Sequence, residues 1–357
     1  MRKPEFITAK EAVDRIKSGS TICTIGMTLV SACESILKEL ENRFLETGSP
    51  NQLTYMHTCG QSDRKAGAVF HLAHEGLIKR IIGGHWGLCP KMMELISANK
   101  VEAYNLPQGQ MANMFHSMAL REPGKISKVG LGTFIDPRIE GGKMNDRTKP
   151  LEDIVDVVEI DGEEYLRYRE IPIDTLLIRG TYADENGNIS TQEEAMVLEL
   201  LPAVMATKRF GGQVICQVKK VVKAGTISPK EVVVPGVLVD AVVVCEEPEE
   251  NHRQTSSWYY DPAYSGQAWA PESKTEPIPL NVRKVIGRRA MMELEPDVVI
   301  NVGTGIPNDV IGAIIAEENI SDDVTITVES GIYGGVPAGG IDFGISRNAQ
   351  ALTPHDR

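Results

Sequence analysis

Residues 21–40 read TICTIGMTLVSACESILKEL. The first six form a β-branched run that ends in glycine, and SACESILKEL (31–40) reads as an amphipathic helix. Strand, glycine turn and helix in that order is the building unit of α/β proteins. The same plan returns at 297–318 as DVVINVGTGIPNDVIGAIIAEE. Internal duplication and chance likeness between two α/β units both account for the echo. If the echo is a duplication, a second sheet domain begins near 281, and 281–357 is short beside the usual ~100–150 residues of a domain.

Further strand–helix alternation fills the space between these two units. QLTYMHTCG (52–60) reads as a strand, LIKRIIGGHWG (77–87) as a strand running into a glycine turn, and PKMMELISAN (90–99) as a helix. VEAYNLP (101–107) is a short strand before the helix GQMANMFHSMALRE (109–122). The stretch after 152 reads as a hairpin followed by a buried strand; GQVICQVKKVV (212–222) and VLVDAVVVCEE (237–247) are strongly β-branched. Buried runs between helices argue an α/β fold with a mainly parallel sheet. The expected division is a first α/β domain over 1–245, an irregular Pro- and aromatic-rich connection over 246–280, and the start of a second α/β domain over 281–357.

Composition narrows the function. Lys plus Arg is 37 and Asp plus Glu is 49, so the formal charge is 37 − 49 = −12. Nucleic-acid binding needs surplus Lys and Arg, so it is not expected here. MRKPEFITAKEAVDRIK at the start lacks the apolar stretch of a secretory signal, and no apolar run approaches the ~18 residues of a membrane span. The six cysteines include no CxxC pair, and several lie in apolar runs. They read as free buried thiols of a reducing, cytoplasmic compartment, with no metal role.

Five segments can carry chemistry. Gly303-Thr304-Gly305 before Ile306-Pro307 fails the GxGxxG pattern at Asn308, so it reads either as a tight strand-to-helix turn or as an anion-holding helix start. In VGLGTFIDPRIEGGKMN (129–145), Asp136 and Arg138 are placed to pair, and Lys143 follows two glycines. Gln108 on the LPQGQ turn suits an oxyanion, though turn glutamines are usually solvated. His71, His74 and Glu75 lack HExxH spacing, and His85 beside Trp86 reads as packing near a pocket. The strongest is VESGIYGGVPAGGIDFG (328–344), where Glu329 ends a β-branched run before a loop with six glycines by 344. The carboxyl ends of parallel strands are where α/β sheets hold ligands.

The ordered blocks HEGLIKRIIGGHWGLCPKM, AYNLPQGQ, KVGLGTFIDPRIEGGKMN, RGTYADENGNIS, RRAMMELEPDVVINVGTGIPNDV and TVESGIYGGVPAGGIDFG carry a resemblance over essentially the whole chain. The chain resembles the family I coenzyme A transferases, in particular the single-chain branch of propionate, acetate and related acyl-CoA:carboxylate enzymes. The resemblance implies two related α/β domains, a homo-oligomer, and CoA, acyl-CoA and a short-chain carboxylate as substrates with no tightly bound cofactor. It maps the nucleophile onto Glu329, the oxyanion-facing glutamine onto Gln108, and the GxGxP turn onto Gly303, Gly305 and Pro307. Loop glycines Gly334, Gly335, Gly339 and Gly340 would contact CoA. Gly26, Met27, Gly60 and Gln61 fall where the family contacts the acyl group. Two departures stand there: Gly26-Met27-Thr28 is poorer in glycine than usual, and GQGD reads Gly60-Gln61-Ser62-Asp63. Members of the family continue beyond the ESG loop, which implies a truncated or separately encoded C-terminal half.

The implied chemistry suits these residues. A glutamate carboxylate attacks the thioester carbonyl and expels CoA thiolate, leaving an acyl-glutamyl anhydride. The thiolate attacks the glutamyl carbonyl, releasing the acid and leaving a glutamyl-CoA thioester that a second acid takes back through the same steps. No general base is required, since a glutamate is ionised at neutral pH. Two other functions remain open to such a sequence: a ligand-binding module of the same fold, and an acyl-CoA thioesterase.

Overall fold

The computed structural model describes residues 3–271, 277–318, 320 and 323–354. The chain divides into two compact units, one formed by Met1–Thr191 with Glu199–Arg253 and the other by Gln192–Leu198 with Gln254–His355.

The strands of the first unit are β1 Glu5–Ile7, β2 Thr21–Thr24, β3 Leu53–His57, β4 Ile78–Gly83, β5 Glu102–Asn105, β6 Lys125–Ser127, β7 Val155–Ile160, β8 Glu163–Tyr168, β9 Thr175–Asp184, β10 Ile189–Ser190, β11 Gln213–Val222 and β12 Ala241–Val244. Its helices are α1 Ala9–Asp14, α2 Glu34–Thr47, α3 Pro90–Ser97, α4 Gln108–Leu120, α5 Leu200–Arg209 and α6 Pro248–Asn251. The main sheet runs β1-β12-β11-β9-β2-β3-β4-β5, parallel throughout, with β10 antiparallel to β9. Consecutive residues of its strands, such as Ile22 with Cys23 and Leu176 to Ile178, are fully buried. That requires cover on both faces, the condition under which parallel sheets are stable. The strand order reverses between β9 and β2, so the crevice at the carboxyl ends of those strands is the topological switch point.

Local chemistry explains the element ends. Thr8 and Glu11 form a reciprocal capping box on α1, with Thr8 N–H donating to Glu11 at 2.8 Å and Glu11 N–H donating to Thr8 Oγ1 at 3.2 Å. The β7–β8 hairpin turns on Asp161-Gly162, both at positive φ (54° and 81°), as a two-residue loop of that twist demands. β6, β8 and β7 make a separate antiparallel sheet. The helix expected over 31–40 starts only at Glu34. A turn closed by the Met27–Val30 bridge, with Thr28 and Ser31 at positive φ, occupies the residues before it.

The second unit holds α7 Val282–Met291, β13 Val298–Asn301, α8 Ile306–Glu317, β14 Val324–Val328, β15 Ile332–Tyr333, β16 Val336–Pro337, β17 Ser346–Arg347 and β18 Ala351–Leu352. Its larger sheet runs β13-β14-β15-β18, with only β13–β14 parallel; β16 pairs with β17. α7 packs on α8 where Gly287 faces Val310 and Ile314. The other side of α7 leaves Val282, Val285 and Ile286 exposed, and β13 leaves Val299 exposed. Among the described residues 254–271 and 277–280 no strand or helix forms. Asn348 anchors that segment through its side chain, accepting from Ala270 N–H and donating to Ala270 O, both at 2.9 Å.

Candidate active site

At the switch point, the loops leaving β2 and β3 are tied to each other. Thr28 N–H donates to Gly60 O at 2.8 Å. Gly26 lies against Gln61, whose Oε1 would stand 3.3 Å from a Cβ at that glycine. Gln61 is buried and its amide is held at both ends by Thr24: Thr24 Oγ1 donates to Oε1 at 2.9 Å and Nε2 donates to Thr24 O at 3.2 Å. Tyr55 OH reaches Thr24 Oγ1 at 2.7 Å and completes the buried triad. Met27 is also buried. Gly26, Met27, Gly60 and Gln61 are therefore neighbours, and the Gln61 side chain braces the loops.

Gln108 is the first residue of α4, directly after Pro107, and is half-buried. Its aliphatic stem rests against Gly84, the first residue after β4.

Several buried polar groups near these loops carry no local sequence signal. Thr58 Oγ1 donates to the fully buried Glu199 across the unit. Arg179, also buried, donates to Ala32 O at 3.2 Å. His57 ends β3, stacked on Trp86 at 4.3 Å between ring centroids, and neither ring nitrogen has a hydrogen-bond partner among the described residues. Burial, helped by the nearby His85, drives the His57 pKa down to about 3.

The charged side chains singled out in the other segments of the first unit are held in ion pairs. Arg138 forks onto Asp136 at 2.9 and 2.8 Å and onto both oxygens of Glu164 at 2.9 Å. Its guanidinium holds the Asp136 carboxyl well below the usual range. Lys143 is spent on Asp153 at 3.0 Å and on the Leu151 carbonyl at 2.6 Å. His71 bridges Glu41 at 2.6 Å and Glu34 at 3.0 Å, and His74 meets Glu41 at 2.6 Å. Among the described residues no cluster of three His, Cys, Asp or Glu side chains is placed to hold a metal ion, and no helix is long and apolar enough to cross a membrane.

That network has a pH signature. Burial opposes charge on His71, but its bonds to Glu34 and Glu41 outweigh burial and raise its pKa. A raised pKa contributes stability below the unfolded value of about 6.5, and the contribution is lost as pH rises through the folded value. His71→Gln is therefore expected to cost more stability at pH 6 than at pH 9. Losing one partner of such a buried pair typically costs about 3–5 kcal/mol. Denaturant melts of both proteins at the two pH values check this; an equal cost at both would refute it.

In the second unit, Glu329 is exposed in the turn between β14 and β15. The last parallel pair of β13 and β14 is Asn301–Thr327. Two residues further along each strand stand Gly303 and Glu329, so both occupy the carboxyl end of this pair. Gly331 has φ +87°, and a Cβ there would meet Thr353 O at 2.6 Å, so the turn after Glu329 requires glycine. Ser330 Oγ donates to Gly344 O and fastens the far end of the glycine loop to the same turn. Gly303 and Gly305 face open space, and Pro307 lies in the first turn of α8. Asn308 donates to Ala338 O at 2.9 Å, bringing the loop of Gly339 and Gly340 to the start of α8. Gly334 N–H donates to Ile326 O at 2.7 Å, and Gly335 packs on the backbone of Arg347.

Residues 6–245 match the family described as Coenzyme A transferase. The chain is 42% identical over 351 residues to the caffeate CoA-transferase of Acetobacterium woodii, covering 98% of this chain and 66% of that protein. It is 39% identical over 350 residues to the acetate CoA-transferase YdiF of Escherichia coli strain K12, covering 97% of this chain and 64% of that one. The crystal structure of the acyl-CoA transferase YdiF apoenzyme from Escherichia coli O157:H7 superposes with a TM-score of 0.89 at 35% identity, over 99% of this chain and 66% of that chain. A thioester complex of the same enzyme with CoA gives 0.88. This chain thus spans about two thirds of the length of the relatives it matches. The match to the family over 6–245 and these likenesses together establish that the chain belongs to the coenzyme A transferase family.

Proposed function

We propose that this protein transfers CoA from an acyl-CoA thioester to a short-chain carboxylate, with CoA and its thioesters as substrates and no tightly bound cofactor. Glu329 is the covalent residue. It attacks the thioester carbonyl to give an acyl-glutamyl anhydride and CoA thiolate. The thiolate then attacks the glutamyl carbonyl, releases the acid and leaves glutamyl-CoA, and a second acid reverses both steps. The observation that carries the reading is Glu329 at the carboxyl end of the β13–β14 pair, level with Gly303, in a chain of this family. A relative that forms a thioester complex with CoA supports it.

The test is direct. Acetyl-CoA is added, the protein is digested, and the peptide containing Glu329 is weighed with and without borohydride. A CoA thioester on that peptide, reducible to the alcohol, is the expected result. Hydrolysis of acetyl-CoA with no adduct makes the protein a thioesterase, and neither hydrolysis nor adduct makes it a ligand-binding protein.

Gln108 donates to the oxyanion of the tetrahedral intermediates. Loss of one such donor typically costs about 10²–10³ in rate. Gln108→Ala is expected to slow exchange by that order and still form the adduct. An unchanged rate returns Gln108 to a turn residue.

A further inference from the structure

The position of Gln108 depends on a turn that belongs to another strand. A Cβ on Gly84 would stand 2.1 Å from Gln108 Cγ and 3.1 Å from Gln108 Cβ, so only a bare Cα leaves room for the stem. The Gly83-Gly84 turn is held from three directions. Gly84 N–H donates to Thr58 O at 3.1 Å, and Leu106 N–H donates to Gly83 O at 3.1 Å. The Asn105 amide, turned so that its nitrogen faces two acceptors, donates to Gly83 O at 3.3 Å and to Gly84 O at 3.1 Å.

Asn105 is placed to couple the two sides. It is the last residue of β5 and the register partner of Gly83 on β4. Two residues, Leu106 and Pro107, carry the chain from it to Gln108. Asn105 therefore belongs to the segment that delivers Gln108 and also clamps the surface against which Gln108 rests. Without the amide, the two glycine carbonyls lose their side-chain donor, and the turn keeps only its backbone bonds to Thr58 and Leu106.

We propose that Asn105 is a positioning residue for Gln108, setting the aim of its amide by holding the Gly83-Gly84 turn. This rests on the reading of Gln108 as an oxyanion donor. Electrostatic stabilisation depends on donors being placed in advance, and a misplacement near 1 Å can cost about 10²-fold.

The experiment is a double-mutant cycle on CoA exchange, with kcat and KM measured separately. Asn105→Ala is expected to lower kcat by about 10–10²-fold, with KM for acyl-CoA unchanged. In the Gln108→Ala background the same substitution should cost almost nothing, because the group it positions is gone. A purely structural asparagine would cost the same factor in both backgrounds, and that result overturns the proposal. So does Asn105→Ala with unchanged kcat while Gln108→Ala is slow. If Gln108→Ala alone leaves kcat unchanged, the reading of Gln108 has failed and the positioning role goes with it. Asn105→Ser, which retains a polar group, serves if the alanine variant does not fold. Failure of both to fold makes Asn105 a structural residue and refutes the inference.

Discussion

Glu329→Gln is expected to abolish CoA exchange while leaving the fold intact. The side chain is exposed in the turn between β14 and β15, and the amide has the same shape, so the fold is expected to be kept. Its chemistry changes entirely. An anhydride needs a carboxylate oxygen as nucleophile, and the amide nitrogen has its lone pair delocalised into the carbonyl. No acyl-glutamyl intermediate forms, so no glutamyl-CoA follows. Exchange should fall to background with the melting temperature and circular dichroism of the parent. Exchange near the parental rate, or an adduct on another residue, would sink the mechanism.

A second large effect is expected in acid. His57 has a folded pKa of about 3, against an unfolded value of about 6.5. Between those values the unfolded chain binds a proton that the folded one refuses, so stability falls as pH falls. The full gap of about 3.5 units corresponds to roughly 5 kcal/mol, or a factor of about 10³–10⁴ in the folding equilibrium. Above about pH 6.5 the term vanishes, and below about pH 3 it stops growing. Carboxylates titrate in the same window, so the quantity to measure is the difference between the parent and His57→Gln from pH 7 to pH 4. The variant should lose less stability over that interval. Parallel curves would falsify the assignment.

How legible all this was in the sequence follows from the range of the interactions. The strands of the main sheet announced themselves because burial on both faces leaves continuous β-branched runs, and each run is local. The strand and turn that carry Glu329 are legible for the same reason: strand, glutamate and glycine loop are contiguous. α5 gave no such signal. Pro202 interrupts an almost wholly apolar stretch, although proline is tolerated in a first helical turn. Thr58 and Glu199 are far apart in sequence and meet only because α5 folds back over the sheet. The brace of Gln61 on Thr24 and Tyr55 is a property of two strand ends placed side by side, and no spacing rule reports it. Asn105 fell inside the short strand expected over 101–107; its clamp on the Gly83-Gly84 turn appears only once β4 and β5 are paired.

The six cysteines have a consequence for the proposed function, in which the substrate carries a thiol. All are buried and none is in a disulfide. Burial pushes Cys89 up to about 11, and it also raises Cys23, where the Glu199 charge adds to the effect, and Cys245. Disulfide exchange requires an accessible thiolate. The disulfide of CoA would thus meet a surface with no sulfur to attack it. Under the proposed function, the cysteines would not be capped by the disulfide form of CoA, and blocking reagents for thiols should leave the folded chain unlabelled.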